Sequence, residues 1–461
     1  MERHSIRSLT SILFLVTVLT GCAPFTQYRT KYELCVNPTP TFSQACETHA
    51  LQQLPAADGA SYLLGFIEFD DQGQIWDRKQ MWSVIDKLSA EAANKDLLMV
   101  VFVHGWKHSA APNDENIETF RKVLARLSED ENLISHLTGL PTRQVAGVYL
   151  GWRGGSVTAP IAKELTFWDR KNTAQKVGHG GVTEVLNRLE LIKRDKDSTI
   201  QGGSGTRLAI IGHSFGGAVV YTALAQILES RFVRTTGPAG IQSNVDSFGN
   251  LIVLINPAFE ATLFSPLSDM SSERGTYFGS QLPIMAVLTS EADYATRYAF
   301  QAGRIFSTLF EKDRDIKRKN AVTKQEEFID EGKADVTAVG HFEPYRTHKL
   351  YPSNEVARDK ITELSSSESI RSVLQASSAW ENDKPGSKIS LAGLTLERTN
   401  TSAGRNPYLV IRVDKELITD HNDIDDPRIV AFIKQLILIS TQSAEQKELI
   451  YKAPGYSPPL Q

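Results

Sequence analysis

Strand-length runs of apolar residues recur along this chain at 97–103, 145–150, 208–211, 251–255, 284–288 and 408–413, with an earlier candidate at 62–69, mostly bounded by Gly, Asn or Pro. Between most of them lie amphipathic stretches, such as 117–127 and 218–228, whose apolar residues return at helical spacing. Strand, helix and strand in repetition predict an α/β fold: a mostly parallel sheet with both faces covered by helices. Its 461 residues are 41% apolar, enough to bury one large core. With 50 basic residues against 54 acidic ones the net charge is −4, which argues against a nucleic-acid partner. Three cysteines are too few for a disulfide scaffold.

The run 208–211 leads straight into Gly212-His213-Ser214-Phe215-Gly216-Gly217, and a helical stretch begins at Ala218 without a loop between. A serine on so sharp a turn is lifted above the sheet, and glycines beside it remove β-carbons that would collide there. The start of the following helix offers backbone amides to a developing anion. Upstream, the run 97–103 ends in His104-Gly105-Trp106. These two turns resemble the GxSxG elbow and the HGx turn of the α/β-hydrolase superfamily. The resemblance implies an α/β-hydrolase fold with inserted cap or lid segments. It also implies Ser214 as nucleophile and the backbone amides of Trp106 and Phe215 as the oxyanion hole. The ring of His104 reads as a brace for its own loop.

A neutral alcohol attacks poorly without a base. In the superfamily the order is nucleophile, acid, histidine, with the histidine after the last strand, which leaves His341, His348 and His421 of the ten histidines. His421 fits best, in the loop between the run 408–413 and a helix predicted over 427–438 that starts at a proline. His341 and His348 stay open, since both lie in a long insertion able to fold over the site. For the acid, the run 284–288 flows into Thr289-Ser290-Glu291-Ala292-Asp293. Asp293 is the first choice, Glu291 the second and Glu260 the third, while Thr-Ser before acidic residues also reads as a helix start with capping carboxylates. Trp106, Trp152 and Trp168 are candidates for an apolar acyl pocket, although tryptophans beside a sheet are more often core. Arg153 reads as a structural salt bridge or as a contact to an anionic substrate group.

The amino terminus carries Arg3, His4 and Arg7 before an apolar run over 9–19 too short to span a membrane as a mature helix. It closes in Leu19-Thr20-Gly21-Cys22, which resembles the lipobox of bacterial lipoprotein precursors. That resemblance implies cleavage before Cys22, acylation of Cys22, and, with Ala23 rather than Asp next, an outer-membrane location in the cell envelope. Cys35 and Cys46 form either a disulfide or a pair of buried thiols. The expected organisation is a signal over 1–21, a tether over 22–60, a hydrolase domain over 61–440 and a tail over 441–461. Insertions at 152–206 and 296–400 are expected as lids or caps. Within the second, the dense charges of 311–335 suggest a solvated helix or loop.

The expected function is a membrane-anchored serine hydrolase that cleaves carboxylic esters through an acyl-enzyme at Ser214, with His421 as base and Asp293 orienting it. No metal or organic cofactor is implied, and the expected partners are an ester-type small molecule or lipid and the membrane. An amidase, peptidase or thioesterase on the same fold is one alternative; a surface lipoprotein that only binds is another.

Overall fold

The structure, a computed structural model, describes residues 25–39, 44–155, 167–201, 203–238, 240–307, 311–353, 366–442 and 444–452. The expected signal and its Cys22 lie outside the described residues. In chain order the elements are β1 (Lys31–Val36), β2 (His49–Pro55), β3 (Ser61–Glu68), α1 (Arg78–Asn94), β4 (Leu97–Val103), α2 (Glu115–Thr138), β5 (Gln144–Gly151), α3 (Phe167–Val177), α4 (Thr183–Thr199), β6 (Arg207–His213), α5 (Phe215–Thr236) and β7 (Leu251–Ile255). They continue with α6 (Ala261–Arg274), β8 (Met285–Ser290), α7 (Phe300–Ser307), β9 (Asp315–Lys319), β10 (Glu326–Asp330), α8 (Glu331–Val336), β11 (His348–Pro352), α9 (Ser366–Glu381), β12 (Lys388–Leu391), β13 (Leu394–Arg398), β14 (Tyr408–Val413), α10 (Pro427–Thr441) and α11 (Ala444–Lys452).

Twelve strands form one sheet in the order β1-β2-β3-β5-β4-β6-β7-β8-β14-β11-β13-β12. From β3 to β11 every neighbouring pair is parallel. Strand β4 shows why both faces are covered, since each of its residues is buried. Leu97, Met99, Val101 and Val103 enter one core with Met81, Val84 and Leu88 of α1 and Val219 and Leu224 of α5. Leu98, Val100 and Phe102 enter the other with Ile117, Phe120 and Leu124 of α2 and Ile429 and Phe432 of α10. Burying each such side chain stabilises the fold by about 1.5–3 kcal/mol. The molecule is an α/β fold, with a mostly parallel central sheet flanked by helices. After β4 the chain crosses to β5 on one side and then to β6 on the other, so connections leave in opposite directions and open a crevice at the carboxyl ends of β4 and β6.

Several expected segments differ. From Lys31 the supposed tether is sheet: β1 pairs with β2, β2 pairs with β3, and Cys35 is disulfide-bonded to Cys46 between them. Strand β1 lies at the edge with none of its residues buried, so no apolar face advertises it. The charged stretch within 311–335 contains the antiparallel hairpin β9–β10, where Lys317 meets Glu326 at 2.8 Å and Arg318 meets Glu327 at 2.9 Å across the strands. The second insertion is not wholly a cap, because β11, β13 and β12 extend the sheet. Of the first insertion, α3 and α4 pack Ala174, Val177, Leu186 and Leu189 onto the sheet. The tail includes α11, which rests against α2. No helix among the described residues is long and apolar enough to cross a membrane.

Candidate active site

Strand β6 ends at His213 and α5 starts at Phe215, so Ser214 alone makes the turn, at φ 56° and ψ −120°. A side chain there is strained, and the surroundings must over-determine it. The Ser214 N–H donates to Ile255 O at 2.9 Å, and Ser214 O accepts from Ala258 N–H at 3.1 Å and Ala218 N–H at 3.3 Å. Close approach of the β4 turn also requires glycine. A β-carbon on Gly105 would stand 2.7 Å from Ser214 Cβ, and one on Gly216 would run into Val103 O.

From the serine a directed line of hydrogen bonds leads inward. Ser214 Oγ lies 2.6 Å from His421 Nε2, and His421 Nδ1 lies 2.9 Å from Asp293 Oδ1. A carboxylate only accepts, so Nδ1 carries the proton and Nε2 is left to accept from the serine hydroxyl. Asp293 is fully buried. Burial alone would raise its pKa, but the attraction of His421 and hydrogen bonds from His421 and Thr296 overcome that and hold it below the ordinary carboxylate value. Asp293 Oδ1 also accepts from Thr296 N–H at 3.1 Å, and Oδ2 accepts from the Thr296 hydroxyl. The capping carboxylate and the histidine's partner are therefore one and the same group. Thr296 Oγ1 in turn accepts from His341 Nε2–H at 3.0 Å. Burial pushes His341 down to about 4, so it stays a neutral donor at pH 7.

The backbone of His421 is clamped. Its carbonyl accepts from His213 Nε2–H at 2.9 Å and from Asn256 Nδ2–H at 3.1 Å, while Asn256 Oδ1 accepts from Ser290 N–H at 3.0 Å. Burial, with His421 alongside, pushes His213 down to about 3, so the ring is neutral at pH 7 and its one N–H is the Nε2–H given to this carbonyl. Thr296, His213 and Asn256 were not singled out as site residues by the sequence. For Thr296 a signal existed, since Asp293 with Thr three residues on is a capping pattern.

Other candidates take other places. His348 is buried in β11, with Nδ1 2.7 Å from Thr347 Oγ1. Glu291 pairs with Arg412, and Glu260 pairs with Lys171 and Arg304. The ring of His104 does brace its loop: Nδ1–H donates to Gly105 O at 2.9 Å and Nε2 accepts from Trp152 N–H at 3.0 Å. Trp152 is buried core, Trp106 is half-buried beneath Lys107, and the side chain of Trp168 lies outside the described residues. Arg153 is salt-bridged to Asp71. The backbone amides of Trp106, in the turn after β4, and Phe215, at the head of α5, both belong to the carboxyl-end crevice. Among the described residues no group of three or more His, Cys, Asp or Glu is placed to hold a metal. A cavity of about 1020 Å³ lined by Asp169, Lys176, Tyr221 and Gln226 includes none of Ser214, Asp293 and His421.

No protein-family model and no curated protein matches the chain. Among solved structures it is similar to phospholipase PlaB from Legionella pneumophila in complex with thio-NAD, at 16% identity and a TM-score of 0.21, over 44% of this chain and 42% of that one. The chain thus spans well under two thirds of that relative, and so loose a superposition carries no argument about function.

Proposed function

We propose that this chain is a serine hydrolase that cleaves carboxylic esters through an acyl-enzyme at Ser214. The observation that supports it is the unbroken line from Ser214 Oγ to His421 Nε2 at 2.6 Å and from His421 Nδ1 to Asp293 at 2.9 Å. As Ser214 Oγ attacks the ester carbonyl carbon, its proton passes to His421 Nε2, and ionised Asp293 stabilises the imidazolium that forms. The carbonyl oxygen becomes an oxyanion, received by the amides of Trp106 and Phe215, each such donor typically worth about 2.7–4 kcal/mol. The C–O bond breaks, and the leaving alkoxide takes the proton from His421. Water then attacks the acyl carbon, gives a proton to His421, and the acid departs as that proton returns to Ser214.

A fluorophosphonate probe is expected to label the wild type and not Ser214→Ala; equal labelling of both would remove Ser214 as nucleophile. Together with Leu19-Thr20-Gly21-Cys22, the same proposal makes the enzyme a lipoprotein of a bacterial envelope, at the outer membrane by Ala23. Metabolic labelling with a fatty acid, lost in Cys22→Ser, checks the anchor.

A further inference from the structure

The segment just after the proposed anchor is pinned to the body. Tyr28 N–H and Arg29 N–H each donate to the carboxylate of Glu68 at 2.8 Å, and Arg29 Nε–H donates to Ala110 O at 2.9 Å. The Arg29 guanidinium lies 4.1 Å from the centre of the Phe66 ring, and the Phe25 ring packs 4.8 Å from Trp76. Glu68 ends β3 and Ala110 lies in the loop leaving β4, so these contacts sit at the carboxyl ends of the parallel strands. Ser214 and His104-Gly105-Trp106 emerge at that same end. Cys22 stands three residues before Phe25, and three residues reach at most about 11 Å.

Beyond Ser214 on the same edge, Asp293 is followed by the helical turn Ala295–Ala299. Tyr294 is 70% exposed and Tyr298 52%, their rings stack 5.5 Å apart, and Arg297 stands over Tyr298. Tyrosines with a polar tip settle at the water–lipid interface, and an adjacent arginine suits lipid phosphates. In the strand order β6 lies between β3 and β8, three and two spacings away. At ~4.8 Å per strand that is roughly 14 Å and 10 Å. The pinned anchor segment and the exposed tyrosine pair therefore flank Ser214.

We infer that this rim seats on the bilayer that holds the anchor, with Tyr294 and Tyr298 at the interface, and that the ester presented to Ser214 is a lipid of that same bilayer. The seating rests on the lipid anchor of the proposed function, and the identity of the ester on its hydrolase activity. With Cys35 and Cys46 bonded to each other and Cys22 acylated, a cysteine introduced elsewhere is selectively labelled. Spin labels on Ala299→Cys, next to the tyrosines, and on Asn94→Cys, at the amino end of β4, are compared in the full chain reconstituted into phosphatidylethanolamine and phosphatidylglycerol vesicles. The label at 299 is expected to be reached by lipid-dissolved oxygen and shielded from a water-soluble nickel chelate, and the label at 94 the reverse. Equal water access at both sites, or a full chain that stays in the aqueous phase, overturns the seating. Tyr294→Ser combined with Tyr298→Ser should lower the ratio of turnover on vesicle-embedded ester to turnover on dissolved ester by about tenfold. An unchanged ratio overturns the lipid assignment. Seating intact with neither ester cleaved counts against the hydrolase proposal alone.

Discussion

Asp293→Asn removes one charge while keeping shape, and the surroundings decide how the new amide sits. The Thr296 N–H, 3.1 Å from Oδ1, can only donate, so the amide oxygen must remain at that position and the amide nitrogen must turn to the Thr296 hydroxyl. His421 Nδ1–H then keeps its acceptor, 2.9 Å away in the wild type, and Nε2 stays able to accept from Ser214. What is lost is the attraction between carboxylate and imidazolium. With charge centres about 4 Å apart and an effective dielectric of about 20, that attraction is about 4 kcal/mol. Its loss slows acylation about a thousandfold. A flipped amide would instead enforce the wrong tautomer and cost about 10⁴-fold. The assay is the rate of fluorophosphonate labelling, which needs no knowledge of the substrate. Labelling within tenfold of wild type refutes Asp293 as the partner of His421.

Thr296→Val keeps the volume but leaves Asp293 Oδ2 and His341 Nε2–H without their shared hydroxyl; labelling should slow by about tenfold and recover in Thr296→Ser. Gly105→Ala puts a β-carbon 2.7 Å from Ser214 Cβ and 3.0 Å from His213 O, so labelling should fall and stability drop by about 1–3 kcal/mol, read by denaturant titration. His104 and His341 at about 4 and His213 at about 3 are all depressed in the folded state, so protons favour the unfolded chain. Their contribution is intact above the unfolded histidine value of about 6.5 and is lost as pH falls toward 4, by up to about 4 kcal/mol per pH unit near pH 5 for the three together. A Tm that stays flat from about pH 7 to 4.5 contradicts this.

The central sheet was legible because its strands are buried on both faces and therefore read as continuous apolar runs, as 97–103 does. Ser214 was legible because strand, turn and helix meet within six residues, leaving a local signature. His421 and Asp293 were legible only through their order in the chain, since each sits on a loop whose position is set by strands far away in sequence. The edge of the sheet escaped for the opposite reason. Strands β1, β9 and β10 are exposed or half-buried along most of their length, so charge and polarity mask their period, and β1 has its partner β2 outside the local window. Thr296 escaped because it acts on a carboxylate rather than on any reacting atom.

Placement of His421 shows why three strand ends are needed for one loop. Between β14 and α10 the chain has no regular element to hold His421, yet its Nε2 comes within 2.6 Å of the serine. The restraint comes from the carboxyl ends of neighbouring parallel strands: His213 from β6 and Asn256 just after β7 bond the carbonyl of His421, and Ser290 at the end of β8 bonds Ile418 O at 2.6 Å. Because β6, β7 and β8 are in fixed parallel register, these donors arrive as a set, and a one-residue slip in any of them would turn its side chain to the other face. His213 belongs to this set on a further ground. As a neutral ring it has a single N–H, which is committed to His421 O, and burial lowers its pKa to about 3, so its remaining nitrogen is too weak a base to compete with His421 for a proton from Ser214.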